Sequence, residues 1–290
     1  MRHGLAAVLV IALGGPACGK HGGAPAARRD ADTAGTTAAL PADTGSAPTT
    51  EPPRPELIVL DEVELVIGEA DELDAETRRA LAGSFGQLLS GTPWFVATAA
   101  QVTADRTPRP ARVELGLRHE LAPGGSGKPA SVVVVLEVRL RWGDARDDPA
   151  PAVNLVASRS LSKGEKPETV VAEVAAALML RAAHELVAKE AIRAGDDATV
   201  VATLSSDDPD MIEWALTVGR ARKLAAARPR AIELLTSPSP LRDAAAGYLV
   251  ALGDPGAVAA LARAARFDEP PFLHTVIEAV AALGGEEARD

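Results

Sequence analysis

Cysteine is nearly missing from this chain. Cys18 stands alone, so no disulfide can form within it. Aromatic residues are scarce, with one tyrosine, three tryptophans and four phenylalanines in 290 residues. Alanine is abundant instead, which favours close helix packing. Excess positive charge is absent: the formal net charge is −10, which disfavours nonspecific nucleic-acid binding. Beyond the amino terminus no apolar run is long enough for a membrane-spanning helix. The five histidines are scattered, and no set of them has metal-ligand spacing.

What is present first is an address. Arg2 and His3 precede an apolar run from Leu5 to Leu13, followed by small residues and Cys18. This is the charged, apolar and cleavable layout of a secretory signal. From Gly19 to about Pro55 the chain is Gly, Ala, Pro, Thr, Asp and Arg, with almost no large apolar residue. Such a composition cannot bury enough surface to fold and predicts a flexible tether. Arg28-Arg29 follows the apolar run, so it is not a twin-arginine signal.

Next comes a region of mixed pattern. Strands are predicted at Leu57–Ile67, near Trp94–Thr98, and at Arg112–Leu121, Ser131–Trp142 and Val153–Leu161. In the longest, Val132, Val134, Leu136, Val138, Leu140 and Trp142 share one face, and Glu137, Arg139 and Arg141 the other. One wet face predicts an antiparallel sheet covered on one side. A helix over Asp71–Ser90 is predicted to present Leu73, Thr77, Ala80, Leu81, Ser84 and Leu88. A second, from Pro167 to about Ala194, has Val170, Val174, Leu178, Ala182 and Leu186 as its seam. The order β-α-β-β-β-β-α predicts an α+β sandwich, an antiparallel sheet packed by two helices.

The last third is periodic. Prolines recur at Pro209, Pro240 and Pro271, each 31 residues from the last. Proline suits a helix start, and Asp208 and Ser239 are placed to cap the first two. Behind the prolines, Trp214, Ala245 and Val276 align, as do Ala215, Ala246 and Ile277; Val218, Leu249 and Val280; and Ala221, Leu252 and Leu283. Gly253-Asp254-Pro255-Gly256 breaks one helix from a second around Ala257, Val258 and Leu261. Ile232, Leu234 and Leu235 mark the second helix of the unit before. Gly195-Asp196-Asp197 echoes the break. Units of this period bury their apolar faces only against neighbours.

Two resemblances follow. The Pro240–Pro271 stretch resembles a HEAT-like repeat of the kind also found in bilin lyases, a helix pair that stacks into solenoids. The segment ending at Cys18 resembles a bacterial lipoprotein signal, in which the cysteine becomes the lipidated first residue. Ala17 fits that pattern, whereas Gly15 and Pro16 depart from it. Gly19 after the cysteine implies the outer membrane by the same resemblance; a soluble periplasmic protein cut near Ala17 is the alternative. The middle region is similar only in topology to small α+β domains of envelope lipoproteins.

The expected division is a signal peptide over 1–17, a tether over 18–56, an α+β domain over 57–194 and a HEAT-like solenoid over 195–290. The expected role is a non-enzymatic, envelope-anchored scaffold or adaptor facing the periplasm. Lipidated Cys18 would hold it to the membrane, and it would need no cofactor. Its partners would be envelope proteins. Solenoids bind along their concave face, so Arg230, Glu233, Arg263 and Arg266 are the candidate contacts. A regulatory or assembly subunit of an envelope enzyme or secretion complex, acting through the α+β domain, is the alternative. The final unit reaches only one helix past Pro271, and this open end implies either a truncated array or an end that docks on a partner or on a second copy.

Sites of chemistry are not found. Ala122 and Pro129 break the phosphate-loop pattern around Gly124–Lys128. Ala188 stands where a zinc-protease motif opening at His184-Glu185 needs its second histidine. Asp207, Asp208 and Asp210 read as a capped helix start.

Overall fold

The computed structural model describes residues 55–67, 75–125, 129–144, 148–237, 240–265 and 270–284. Cys18, the expected signal and the expected tether up to residue 54 lie outside them, as do Ser239 and Arg266, whereas Glu56, counted with the tether, opens the first strand.

The architecture is mixed α/β, with a five-stranded sheet and eight α-helices among the described residues. Strands β1 (Glu56–Ile67), β2 (Phe95–Val96), β3 (Thr107–Ala122), β4 (Ser131–Trp142) and β5 (Ala152–Ser160) lie in the order β2-β1-β3-β4-β5. The sheet is not wholly antiparallel. β1 runs parallel to both β2 and β3, whereas β3-β4 and β4-β5 are antiparallel. The cause is α1 (Ala75–Ser90), which carries the chain back to the start of β1 before β2 and β3 begin. A helical crossover of this kind makes the strands it joins parallel.

The alternation in β4 is as its sequence requires. Val132, Val134, Leu136, Val138 and Leu140 are buried, and Arg139 and Arg141 are exposed. Helix α2 (Pro167–Ala194) lies over β4 and β5, and α1 over β1; the two helices touch. The seam of α2 is buried throughout, joined by Val171, Ala175, Met179 and Ala183. The face of α1 is different from the expected one. Phe85 and Leu89 are fully buried and Ala82 nearly so, while Ala80 and Ser84 are exposed. Leu81 and Leu88 of the expected stripe pack against the core but stay partly exposed, and the deepest positions, each contributing about 1.5–3 kcal/mol, are Phe85 and Leu89.

Beyond α2 come α3 (Asp197–Thr203), α4 (Pro209–Ala221), α5 (Arg228–Leu234), α6 (Leu241–Leu252), α7 (Val258–Ala264) and α8 (Pro270–Gly284). Asp196 caps α3 by accepting the Thr199 N–H at 2.8 Å. Asp208 accepts the Asp210 N–H at 3.0 Å, with Pro209 in the first turn of α4. Pro240 sits one position earlier, at the cap of α6, and α8 begins at Pro270 rather than Pro271. Gly253 closes α6 in the left-handed conformation, with φ +65°. α4 packs on α6 and α6 on α8; α3, α5 and α7 pack against α4, α6 and α8 in turn.

The aligned positions are mostly interior: Trp214, Ala245 and Val276 are buried, as are Ala215, Ala246, Val218 and Leu249. Ile277 is the exception, at 57% exposed. In α8 it is Phe272, Val276 and Ala279 that turn inward, and Ile277 lies outside. The buried residues form two hydrophobic clusters. One runs from Ile58 to Leu186 and the other from Ile192 to Ala279. Helix α2 contributes to both.

Candidate functional site

The last two turns of α2 carry charge where its apolar seam ought to continue. Leu186 is followed on the same face by Lys189, Glu190 and Arg193, all buried. A buried charge needs a partner, since desolvation costs several kcal/mol per ion. The partners come from distant parts of the chain. Arg193 pairs with Glu190 at 2.6 Å, Glu56 at 2.8 Å and Asp148 at 3.3 Å. Arg109, fully buried at the start of β3, pairs with Asp148 at 2.8 Å, Asp144 at 3.2 Å and Glu56 at 3.3 Å. Trp142 gives both arginines an aromatic floor, 3.8 Å from Arg109 and 4.8 Å from Arg193. Such stacking is a favourable use of the weakly hydrated guanidinium plane.

The network perturbs its members. Burial pushes the Glu190 carboxyl above its ordinary value, and the hydrogen bond and charge of Arg193 only partly offset this. For Arg193, burial works against the charge, but Glu190 and then Glu56 outweigh it, so its pKa is raised.

The same two turns are fastened to the C-terminal helices. The Trp214 indole donates to the Lys189 carbonyl at 2.6 Å. Arg222 donates to the carbonyls of Arg193 at 2.6 Å and Gly195 at 2.9 Å. On the sheet side, Lys189 donates to the Ala152 carbonyl at 2.7 Å and pairs with Glu185 at 2.9 Å. The end of α2 is thus held on one side by ion pairs to β1 and the turn after β4, through Glu56 and Asp148 that it shares with Arg109 of β3, and on the other by α4.

Beside this junction lies an open cleft of about 400 Å³, bordered by β4, β5, α2 and α4. Its acidic lining is Glu137, Glu185, Asp210 and Glu213, against Arg139 and Lys189. Glu137 is taken by Arg118 and Arg139, and Glu185 by Lys189. Asp210 and Glu213 form no ion pair among the described residues. A smaller groove continues along Glu213, Thr217 and Arg220 to Asp243 at the start of α6.

The candidate contacts read from the repeats are separate from this cleft. Arg230 and Glu233 lie on α5 and pair with each other at 2.7 Å. Arg230 also donates to the Leu204 carbonyl at 3.1 Å, so it helps fix α5 to the end of α3. Glu233 points outward, its side chain 65% exposed. Arg263 on α7 is exposed and, among the described residues, donates only to the Ala259 carbonyl within its own helix. Among the described residues no group of three or more His, Cys, Asp or Glu is placed to hold a metal ion, and no helix is long and apolar enough to cross a membrane. The loop expected around Gly124–Lys128 lies partly outside the described residues.

The junction network was missed from sequence, because its members span Glu56 to Arg193. One signal was nonetheless available. Lys189, Glu190 and Arg193 stand at i+3, i+4 and i+7 from Leu186, where an amphipathic helix facing only a core has apolar residues. No protein-family model matches the chain, and neither a curated protein nor a solved structure is similar to it.

Proposed function

We propose that this chain is an envelope-anchored lipoprotein that serves as a protein-binding scaffold, held to a membrane by lipid on Cys18 and binding through a HEAT-like solenoid. The observation that carries this reading is the stacking order of the C-terminal helices. α4, α6 and α8 start at or beside the recurring prolines and pack successively, with α5 and α7 returning the chain between them. Arrays of that kind present extended surfaces that suit protein partners. Glu233 and Arg263, on the returning helices, are the proposed contacts, with Arg266 beyond them. The buried junction at the end of α2 would let the sheet region and the helices act as one lever on a tether.

A second reading has an observation in its favour. The cleft between the sheet and α4 is lined by Asp210 and Glu213 of α4, which form no ion pair among the described residues, facing Glu137 and Arg139 of β4. This suits a regulatory or assembly contact with an envelope enzyme or secretion complex, made where the α+β region meets α4. The two readings separate by cross-linking in cells. Glu233→Lys with Arg263→Glu should abolish partner capture under the scaffold reading and leave it intact under the second. Asp210→Lys with Glu213→Lys should do the reverse. Cys18→Ser should move the protein from the membrane to the soluble fraction; a native protein that is already soluble refutes the anchor.

A further inference from the structure

We propose that the free edge of β5 is a dimerisation surface, on which a second copy of this chain adds its own β5 antiparallel to the first. The inference is independent of the anchor and of the scaffold reading.

The edge follows from the ladder. Leu140 donates to the Pro151 carbonyl and Leu161 to the Ala130 carbonyl. In an antiparallel pair, bonded and non-bonded positions alternate. Residues 151, 153, 155, 157, 159 and 161 therefore turn their backbone groups toward β4. Ala152, Asn154, Val156, Ser158 and Ser160 turn theirs away. Lys189 takes the outward carbonyl of Ala152. The outward groups of Asn154, Val156, Ser158 and Ser160 have no partner among the described residues.

Soluble proteins guard such edges with charge, proline, bulges or very short strands. The opposite margin of this sheet has those devices. β2 is only two residues long, and β1 beyond it carries a bulge between Leu60 and Glu62, with Asp61, Glu62 and Glu64 exposed. β5 has none of them. Its nine residues run in unbroken register with β4. Its only charge, Arg159, is held by Glu165 and Glu173. At its centre stands Val156, 61% exposed, the highest value among the exposed large hydrophobic residues of the described part of the chain.

A second copy fits this edge by its own symmetry. With a twofold axis at Val156, Val156 meets Val156, Asn154 meets Ser158 and Ala152 meets Ser160. Each pair places outward backbone groups against outward backbone groups, and no like charges oppose each other. Val135 lies beside Val156 on the same open face, so an apolar strip continues across the axis. Charge complements this at both ends. Past Ser160 the partner strand would run alongside Pro151 and Ala150 into the cleft that holds Asp210 and Glu213. The first charged residue it brings is Lys163, which is exposed and forms no ion pair within its own chain among the described residues. Self-complementary contacts about a twofold axis are the commonest form of assembly.

The test uses the full chain carrying Cys18→Ser, which removes the only native thiol. Light scattering over a concentration series should show the mass approaching twice that of one chain. Val156→Lys places two lysines face to face and should weaken association about tenfold or more, with an unchanged circular dichroism spectrum. Val156→Cys should give a disulfide-linked dimer on mild oxidation, because bonded antiparallel pairs bring Cα atoms to about 5.5 Å, within disulfide reach. That measurement also decides the matter if Val156→Lys folds poorly. Lys163→Glu and Glu213→Lys should each weaken the dimer, and the two together should restore it. A monomer at every concentration overturns the proposal. So does a dimer that cross-links through Ile277→Cys on α8 but not through Val156→Cys.

Discussion

Tyr248 is the only tyrosine in the chain, and it reports on the centre of the helical region without interference. It is fully buried on α6, and its hydroxyl donates to the Leu224 carbonyl in the turn between α4 and α5. On its other side, a Cβ placed on Gly219 would lie 3.2 Å from the ring, so α4 approaches closely there. Burial pushes the phenol from its ordinary value of 10.0 up to about 12. At pH 11 a phenol with a pKa near 12 is about one-tenth ionised, whereas a free one near 10 is about nine-tenths ionised. The sign follows from linkage. The neutral phenol is favoured in the folded state, so this contribution is complete below pH 10 and is lost as pH rises through 12. Two pKa units, discounted for solvent screening, amount to on the order of 1–2 kcal/mol. A rapid jump to pH 11, followed by phenolate absorbance and circular dichroism, separates the outcomes. The phenolate signal should rise mainly with the slow loss of helix. A full-amplitude burst before any loss of helix refutes the packing of α6 against the turn at Leu224. Tyr248→Phe should lose about 1 kcal/mol at neutral pH and flatten the dependence between pH 10 and 12.

Three further outcomes are expected. Arg109→Ala strips a fully buried partner from Glu56, Asp144 and Asp148 and should cost about 3–5 kcal/mol in denaturant unfolding; a loss under 1 kcal/mol contradicts the junction. Trp214→Phe keeps the ring but leaves the Lys189 carbonyl without its indole donor, for a cost of about 1 kcal/mol and faster hydrogen exchange at the end of α2. Gly253→Ala forces a Cβ into the left-handed cap of α6 and should lower stability by about 1–2 kcal/mol, whereas Gly253→Asn should cost less.

Legibility from sequence tracked the range of the interactions. The alternation of β4 and the seam of α2 are local patterns set by one neighbouring layer, and both are found as read. In α1, Leu81 and Leu88 pack on the core as read, but the stripe also ran through Ala80 and Ser84 and passed over Phe85 and Leu89. The parallel pairing of β1 was implicit in the order strand, helix, strand, but the wet face of β4 suggested one rule for the whole sheet. Ile277 was placed inside by a register that holds at Ala215 and Ala246 and fails in α8, whose buried face runs through Phe272, Val276 and Ala279. The junction network joins residues up to 137 positions apart, and no spacing rule reaches that far. Asp208 was legible as a cap because capping is a contact between near neighbours, whereas Asp196, read only as part of a helix break, caps α3 as well.

The central claim, an anchored scaffold that binds proteins through the returning helices of its C-terminal region, is tested most directly by site-specific photo-cross-linking in intact cells. A photoreactive residue at position 233 or 263 should give a discrete adduct with another protein, in the membrane fraction, and the adduct should vanish from that fraction with Cys18→Ser. The same residue at Arg118, on the open face of the sheet, should give none. Adducts at Arg118 but not at 233 or 263, or a chain that never enters the membrane fraction, would contradict the account.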